Sequence, residues 1–300
     1  MKKINVILFG ATGSVGNSTI SVIRKNRNKI NLEGISCDKK IKKLINIAKE
    51  FNVKKIGINN LDNYYSNKKE LKNFDLYSDV SSFSEMVSSK TDIIILAISG
   101  LNPLKLVIKL LRSRKTIGLA NKECIISLGK NIMKIAKKNS TKIVPLDSEH
   151  NSIFHLLKLS QDEFKSITIT ASGGPFFNLP LSKFKNISVK QALSHPIWRM
   201  GKKITIDSST MMNKALEIIE AQYLFNLKPS QINAVIHPQS IVHALINYGN
   251  GISTAILNEP NMKIPISSLF FNFKSYNNRY KKFKLSDFKK LEFYEIDKKK

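Results

Sequence analysis

The chain has 300 residues, enough to bury more than one hydrophobic core, and its 42% apolar and 24% charged shares are those of an ordinary globular protein. Its longest unbroken apolar run, Ile93 to Ile98, is too short to cross a bilayer, so no membrane partner is expected. The excess of 49 Lys+Arg over 22 Asp+Glu gives a net charge of +27, which favours anionic partners; the lysines are scattered through segments such as KKIKKL and NNRYKKFK without a zinc-finger, basic-zipper or RNA-recognition signature, which argues against a specific nucleic-acid partner.

Short apolar runs alternate with amphipathic ones through the first half, the rhythm of a parallel α/β sheet. Strands are predicted at Ile4 to Phe9, Ile30 to Ser36, Lys55 to Ile58, Asp92 to Ile98, Lys115 to Leu119 and Lys142 to Pro145, with helices around Val15 to Arg24, Ile41 to Phe51, Pro103 to Leu111 and Glu123 to Ala136. The order is Rossmann-like and assigns residues 1–150 to a dinucleotide-binding domain. The rhythm then changes to a Gly/Pro-rich stretch, a long helix near Met211 to Phe225 and strands near Ala234, Ile241 and Ile252, which makes 151–272 an α+β domain. Residues 273–300 are lysine- and aromatic-rich with little periodicity and read as a linker. Two cysteines, Cys37 and Cys124, lie inside ordinary α/β segments, so a disulfide framework is not expected and a reducing cytoplasm is the default location.

GATGSVG, from Gly10 to Gly16, follows a strand and opens a helix, the context in which glycines let a backbone approach a pyrophosphate and the helix N-terminus donates to it. The spacing is GxxGxxG, and a plain strand-to-helix turn is the alternative. Its place at the first βα turn makes Thr12, Gly13, Ser14 and Val15 candidate cofactor contacts. At the end of the second strand Asp38 is followed by Lys39 and Lys40, whose ammonium groups suit the 2′-phosphate of NADPH better than a bare ribose.

Asp147-Ser148-Glu149-His150 follows an apolar strand. Read alone it fits two arrangements: an N-cap with Glu149 in a helix's first turn, or two carboxylates that with a third would hold Mg²⁺ or Mn²⁺. The long helix offers the third acid, since Asn213, Glu217 and Glu220 share one face while Met212, Leu216, Ile219 and Tyr223 can pack on an adjoining one. Asp207-Ser-Ser-Thr210 before it is a hydroxyl-rich helix start suited to a phosphate. ASGGPF, Ala171 to Phe176, ends another apolar strand and can face Ser172 and backbone amides to an anion or be a bare turn. His195-Pro-Ile-Trp198-Arg-Met200-Gly201 carries the only tryptophan and reads either as a flap over substrate or as a core anchor. His237 and His243 near strand ends fit catalytic or structural roles.

Together GATGSVG, LANKE (Leu119 to Glu123), PLDSEHNSIF, ASGGPF, HPIWRMGKKITIDSSTMMNKALEIIEA and IHPQSIVHA closely resemble, in this order, the 1-deoxy-D-xylulose 5-phosphate reductoisomerase family, from Met1 to about Pro265. The resemblance implies isomerisation of 1-deoxy-D-xylulose 5-phosphate by retro-aldol cleavage and aldol rejoining, then reduction by NADPH to 2-C-methyl-D-erythritol 4-phosphate, with a divalent metal serving both steps in the non-mevalonate isoprenoid pathway. It implies Asp147, Glu149 and Glu217 as metal ligands, Lys122 and Ser148 on the substrate hydroxyls with Lys122 assisting proton transfer, and Ser172, Ser208, Asn213 and Lys214 on the phosphate and substrate, with His195 nearby. Trp198 becomes the lid of a flap at 176–202, Met200, Gly201 and Met262 lie near the nicotinamide, and Asn121 and Glu123 contact the cofactor.

The family's glycine at the end of the second strand is Asp38 here, while Lys39 matches its lysine. The resemblance further implies a homodimer and a C-terminal helical domain reached through the linker, which this chain would lack. A different NADP-dependent dehydrogenase of the aspartate-semialdehyde or homoserine kind would share the GxxGxxG start and lack DSE and the NK…E helix. A catalytically dead binding protein would show no metal dependence.

Overall fold

Runs of Ile, Leu and Val in the first half become strands because β-branched residues suit the pleat and a strand covered on both faces tolerates apolar residues at every position. They are β1 (Ile4–Phe9), β2 (Ile30–Cys37), β3 (Lys55–Ile58), β4 (Asp75–Ser78), β5 (Ile93–Leu96), β6 (Thr116–Leu119) and β7 (Lys142–Pro145). Their spatial order is β4-β3-β2-β1-β5-β6-β7, with every pairing parallel. Val6 to Phe9 of β1 have no exposed surface at all, as befits the central strand. The crossovers run through α1 (Ser14–Lys25), α2 (Ile41–Phe51), α3 (Leu61–Ser66), α4 (Lys68–Leu71), α5 (Leu104–Leu110) and α6 (Lys122–Lys138). This is the Rossmann-like sheet the sequence predicts, and chain order reverses between β1 and β5, where such sheets take their ligand. Strand β4 has no sequence signal: DLYS is polar at both ends and half exposed at the sheet edge.

This computed structural model describes residues 2–160, 162–198, 200–272 and 284–297, so Arg199 of the expected flap and residues 273–283 and 298–300 of the expected linker lie outside the described residues. The chain divides into two units, with the break at Leu146/Asp147. The second unit holds α7 (Ser148–Leu159), β8 (Phe164–Ala171), α8 (Val189–Ala192), α9 (Lys202–Ser209), α10 (Met212–Phe225), β9 (Ile232–Ile236), β10 (Val242–Tyr248) and β11 (Ser253–Leu257). Its sheet runs β11-β10-β8-β9, antiparallel except for the β8/β9 pair. Ile153 and Leu156 of α7 and Ala221 of α10 pack with Ile167, Ile169, Ala244 and Ile246 of the sheet. That packing fixes α7 and α10 beside each other. Tyr294 adds an antiparallel bridge to the β9 edge, exchanging 2.8 Å bonds with Ile236 in both directions.

The helix α11 (Lys263–Phe271) belongs to the first unit, where Ile266, Phe270 and Phe271 join the core built on β1 and β2. Gly118 of β6 makes room for it, since a Cβ there would stand 2.6 Å from Leu269 Cδ2. Among the described residues no helix is long and apolar enough to cross a membrane.

Two expectations for the long helix need correction. Asp207-Ser-Ser-Thr210 is not its first turn: Asp207 to Ser209 end the separate helix α9, and Met211 in the left-handed conformation (φ 60°) breaks the chain before α10 begins. The packing expected of its apolar residues also fails in part. Lys214, Glu217 and Glu220 are buried, whereas Met212 and Ile219 are 51% and 37% exposed. The charged stripe faces inward because it meets α7, whose first turn carries charges of its own.

Candidate active site

The Gly-rich turn of the first unit is built around two steric demands. Gly10 sits at φ 87°, and a Cβ on it would fall 2.3 Å from Ala97 O; a Cβ on Gly16 would fall 2.2 Å from Gly10 O. Gly13 differs, with its nearest neighbour at an ordinary 3.5 Å. Its lack of a side chain therefore serves access to the turn rather than internal packing. Gly13 is also the N-cap of α1 and supplies no side-chain acceptor to the helix's first amides, the donor set that binds a phosphate. Thr12 is buried, while Gly13 and Ser14 are exposed and Val15 half-buried. Ser36, which the sequence reading passed over, ties the turn to β2: its hydroxyl accepts from Gly10 N at 3.0 Å and its carbonyl from Ala11 N at 2.8 Å. Asp38, Lys39 and Lys40 are exposed just beyond β2, with Asp38 accepting from Asn59 Nδ2 at 3.0 Å.

Asn121 caps α6, accepting from Cys124 N at 2.8 Å while its amide donates to Ile98 O and Gly100 O at 2.7 Å each. The buried Asn121 therefore fixes the N-terminus on which Lys122 and Glu123 begin the helix, both half-buried. Met262 is the half-buried residue preceding α11.

In the second unit the two readings of Asp147-Ser-Glu-His turn out to be compatible. Asp147 is the N-cap of α7, its Oδ1 accepting from Glu149 N at 3.1 Å and His150 N at 3.4 Å. Capping sets the rotamer of Asp147 and puts Glu149 in the first turn. One ligand atom each from Asp147, Glu149 and Glu217 lie within 4.8 Å of one another, a hard-oxygen set of the kind that holds Mg²⁺ or Mn²⁺. Glu217 is 2% exposed and its carboxylate accepts from Asn213 Nδ2 and Lys214 Nζ on its own helix. Ser148 donates to the Glu149 carboxylate.

So many acids need counter-charge. Lys214 Nζ bonds Glu217 and lies 3.6 Å from Glu149 Oε1. Burial alone would lower its pKa, but Glu149, Glu217 and Asp147 together raise it, so it stays an ammonium. Here the ammonium reaches hydrogen-bond distance of Glu217 but not of Glu149. Glu217 holds it, and burial, only partly offset by Lys214 and reinforced by Asp147 and Glu217, pushes the Glu149 carboxyl up to about 8.

His150 lies behind this cluster with no exposed surface. Its Nε2 donates to the Glu217 carbonyl at 2.9 Å, while Nδ1 stands 3.2 Å from Asp147 Oδ1 and 3.5 Å from Glu220 Oε2. Burial disfavours its charge, but Glu220, Asp147 and Glu217 outweigh that and raise its pKa to about 9. The sequence shows His150 only as a neighbour of the acids. The signal for it is spacing, three residues after a capping Asp, which returns its side chain to the cap.

Beyond β8, Gly173 and Gly174 adopt φ 83° and 68°, and a Cβ on Gly174 would stand 2.5 Å from Ser208 O. The ASGGPF turn is thereby pressed against the end of α9, bringing Ser172 and the half-buried Ser208 into one region. His195 Nδ1 accepts from Ile197 N at 3.1 Å and Trp198 N at 2.9 Å. Its proton is therefore on Nε2, which donates to Ser172 Oγ at 2.9 Å, and burial lowers its pKa, keeping the ring neutral. Ser172 Oγ also accepts from Gly174 N at 3.3 Å, so its own proton points elsewhere. Trp198 is half-buried with its ring edge-on to His243 at 6.3 Å between centroids. Met200 is half-buried and Gly201, the N-cap of α9, is exposed. His243 is held neutral, burial lowering it to about 4, and its Nε2 faces Asn258 O at 3.3 Å.

Two family models match the chain: 1-deoxy-D-xylulose 5-phosphate reductoisomerase over residues 6–129 and the C-terminal domain of that enzyme over residues 143–225. The 1-deoxy-D-xylulose 5-phosphate reductoisomerase of Pelagibacter ubique is 45% identical across 91% of this chain and 71% of its own length. That of Wolbachia pipientis subsp. Culex pipiens is 43% identical across 99% and 76%. Among solved structures, a reductoisomerase in complex with NADPH, fosmidomycin and magnesium superposes with a TM-score of 0.91 at 34% identity, over 98% of this chain and 76% of that one. The Zymomonas mobilis enzyme in complex with NADPH gives 0.89 at 31%, over 99% and 78%. A hyperthermophilic archaeal homoserine dehydrogenase in complex with NADPH, at 13% identity and a TM-score of 0.58 over 90% of this chain and 96% of that one, shares the fold alone.

Proposed function

The chain belongs to the 1-deoxy-D-xylulose 5-phosphate reductoisomerase family, and from that premise we propose which of its residues carry the reaction. It is an NADP-dependent oxidoreductase that isomerises and reduces 1-deoxy-D-xylulose 5-phosphate to 2-C-methyl-D-erythritol 4-phosphate with NADPH and a divalent metal, in isoprenoid biosynthesis. The observation that carries the residue assignment is the convergence of three carboxylate oxygens within 4.8 Å.

Asp147, Glu149 and Glu217 are the residues that hold the metal. When bound, the ion supplies Lewis-acid polarisation of the substrate carbonyl and stabilises charge that develops during bond cleavage. Lys214 pairs with Glu217 and neutralises part of the cluster. Asn213 orients the same carboxylate through its amide. Ser148 and Lys122 hold the substrate hydroxyls, and Lys122 assists the transfer of a hydroxyl proton in the retro-aldol step.

Ser172, with its oxygen already accepting from His195 and Gly174, offers its proton to the substrate phosphate. Ser208 binds at the same end. His195 positions Ser172 and, through its other nitrogen, the backbone at Trp198. The indole of Trp198 covers the substrate as the lid of a flap spanning 176–202 and excludes water.

Thr12, Gly13, Ser14 and Val15 bind the NADPH pyrophosphate, and Lys39 and Lys40 bind the 2′-phosphate with Asp38 beside them. Asn121, Glu123, Met200, Gly201 and Met262 complete the cofactor contacts. We assign nucleotide binding to residues 1–150 and the chemistry to 151–272 together with Asp147 and Glu149 at the boundary, with 273–300 a linker, and place the enzyme in the cytoplasm as a homodimer. Support for these finer assignments is the motif match, and for the dimer the family alone.

The test is NADPH oxidation with 1-deoxy-D-xylulose 5-phosphate, with chelator and after adding Mn²⁺ back. Activity abolished by chelator and restored by Mn²⁺ is expected. Activity indifferent to the chelator would remove the metal assignment.

A further inference from the structure

Residues 290–295 lie in the segment whose sequence reads as a linker, yet they are built into the second unit. Beside the bridge between Tyr294 and Ile236, His237 Nδ1 donates to the Glu292 carbonyl at 2.8 Å and Gln239 Nε2 donates to Glu292 Oε2 at 2.9 Å. The Phe293 ring stacks on His237 with 4.6 Å between centroids. The stretch is thus fastened to the β9 edge by contacts that do not need the Tyr294 side chain. That side chain has a contact of its own, its ring standing 5.2 Å from the ring of Phe177 at a tilt of 59°. Phe177 is the second residue of the flap proposed at 176–202.

Two routes lead from Tyr294 to the neighbours of Ser172. Its backbone bonds Ile236, and the next residue, His237, donates its amide to Ala171 O at 2.7 Å. Its ring backs Phe177, whose Cβ and Cγ, like Ile236 Cγ2, stand 3.0 Å from where a Cβ on Gly173 would be. Gly173 and Gly174 hold φ of 83° and 68°; two glycines in a row reach many other conformations at little cost, so their surroundings must select this one. We infer that Tyr294 is a positioning residue for the substrate phosphate: by seating Phe177 against Gly173 it holds the ASGGPF turn in the form that presents the Ser172 hydroxyl to the anion. Without the ring, Phe177 loses its backing and the two glycines sample other forms. Affinity for the phosphorylated substrate then falls in proportion to the fraction of chains that keep the competent turn. An aromatic pair biases such an equilibrium about 2- to 10-fold.

The inference rests on the proposal that Ser172 binds the phosphate, and the experiment separates the two. Steady-state NADPH oxidation by the whole chain at saturating Mn²⁺ gives kcat, the KM for 1-deoxy-D-xylulose 5-phosphate and the KM for NADPH. These are compared for the parent, Ser172→Ala, Tyr294→Ala, Tyr294→Phe and the double variant Ser172→Ala/Tyr294→Ala, with the melting temperature followed in each. Ser172→Ala is expected to raise the substrate KM; a parental value there removes the phosphate reading and this inference together. Tyr294→Ala is expected to raise the substrate KM about 2- to 10-fold while kcat and the KM for NADPH stay within about twofold. Tyr294→Phe is expected to behave as the parent, because it keeps the ring and loses only the hydroxyl's 2.9 Å bond to Glu292 Oε1. In the Ser172→Ala background, loss of the ring is expected to cost less than in the parent, since both changes act on one contact.

A parental substrate KM in Tyr294→Ala beside a raised one in Ser172→Ala overturns the inference and leaves the phosphate reading standing, whether or not the melting temperature drops. A KM raised as far in Tyr294→Phe as in Tyr294→Ala overturns it too, since the hydroxyl and not the ring would then be at work. Fully additive losses in the double variant do the same, by placing the effect of Tyr294 outside Ser172. Should Tyr294→Ala fold poorly, Tyr294→Leu takes its place. It fills part of the volume without a ring, so a raised substrate KM supports the inference and a parental one refutes it.

Discussion

The Lys214 ammonium stands 3.6 Å from Glu149 Oε1, reaching from the first turn of α10 to the first turn of α7 while bonded to Glu217 on its own helix. It is the positive centre around which these acids assemble. Replacing it with the similarly long Met leaves the acids facing one another at low dielectric. Removing one partner of a buried ion pair costs about 3–5 kcal/mol, so Lys214→Met is expected to unfold at clearly lower denaturant in the absence of metal, with part of that loss recovered by Mn²⁺. An unchanged unfolding midpoint would show that the pair contributes little.

Glu217→Gln keeps the shape of the side chain and removes the charge. Turnover is expected to fall by orders of magnitude while NADPH still binds, because the nucleotide turn belongs to the other unit. Steady-state rates beside a fluorescence titration of NADPH decide the matter; wild-type turnover would defeat the ligand assignment.

Burial raises the Glu149 carboxyl to about 8, so below that pH the metal must displace a proton. The sign follows directly. Mn²⁺ affinity rises with pH up to about 8, by up to about tenfold per unit for one proton released, and levels above it. Titration at several pH values in buffers of different ionisation heat reads the proton count. Affinity flat from pH 6 to 8 would mean that Glu149 is already ionised.

The glycines of the nucleotide turn divide by what surrounds them. Gly16→Ala forces a Cβ to within 2.2 Å of Gly10 O, so the turn must move and both stability and NADPH binding drop. Gly13→Ala meets nothing nearer than 3.5 Å and is expected to melt like the parent, yet bind NADPH more weakly. Parental NADPH affinity in Gly13→Ala would show that the dinucleotide does not approach the turn there.

Trp198→Ala removes the lid, and the expected result is a raised KM for the phosphorylated substrate with the fold intact. An unaltered KM would make the indole a packing group against His243.

The sequence made the nucleotide-binding half readable because most of its strands carry an apolar run and its Gly-rich turn occupies the first βα connection. Strand β4 stayed hidden since an exposed edge strand needs no apolar run. The carboxylates at 147, 149 and 217 were readable as candidates, though composition could not decide between a cap and a ligand, and the structure makes Asp147 a cap inside the trio. The direction in which α10 faces was not readable. Periodicity puts Met212 and Ile219 on a face that can pack and Glu217 and Glu220 on an adjoining one; that α7 meets the charged face, with His150 and its own acids, is revealed only by packing. The break at Met211 was equally silent, because a methionine gives no local sign of a left-handed backbone.

Asp147 both starts a helix and stands among the trio, and asparagine is as good a helix start as aspartate. A chain carrying Asp147→Asn would therefore keep its shape, survive cellular quality control and accumulate normally while losing a negative charge from the trio. Selection for folding does not protect this carboxylate of the enzyme; only demand for its product does. Copies in a lineage that no longer needs isoprenoids could fall silent at this position without any change in abundance, so neither a normal expression level nor a normal melting curve certifies that such a copy still works.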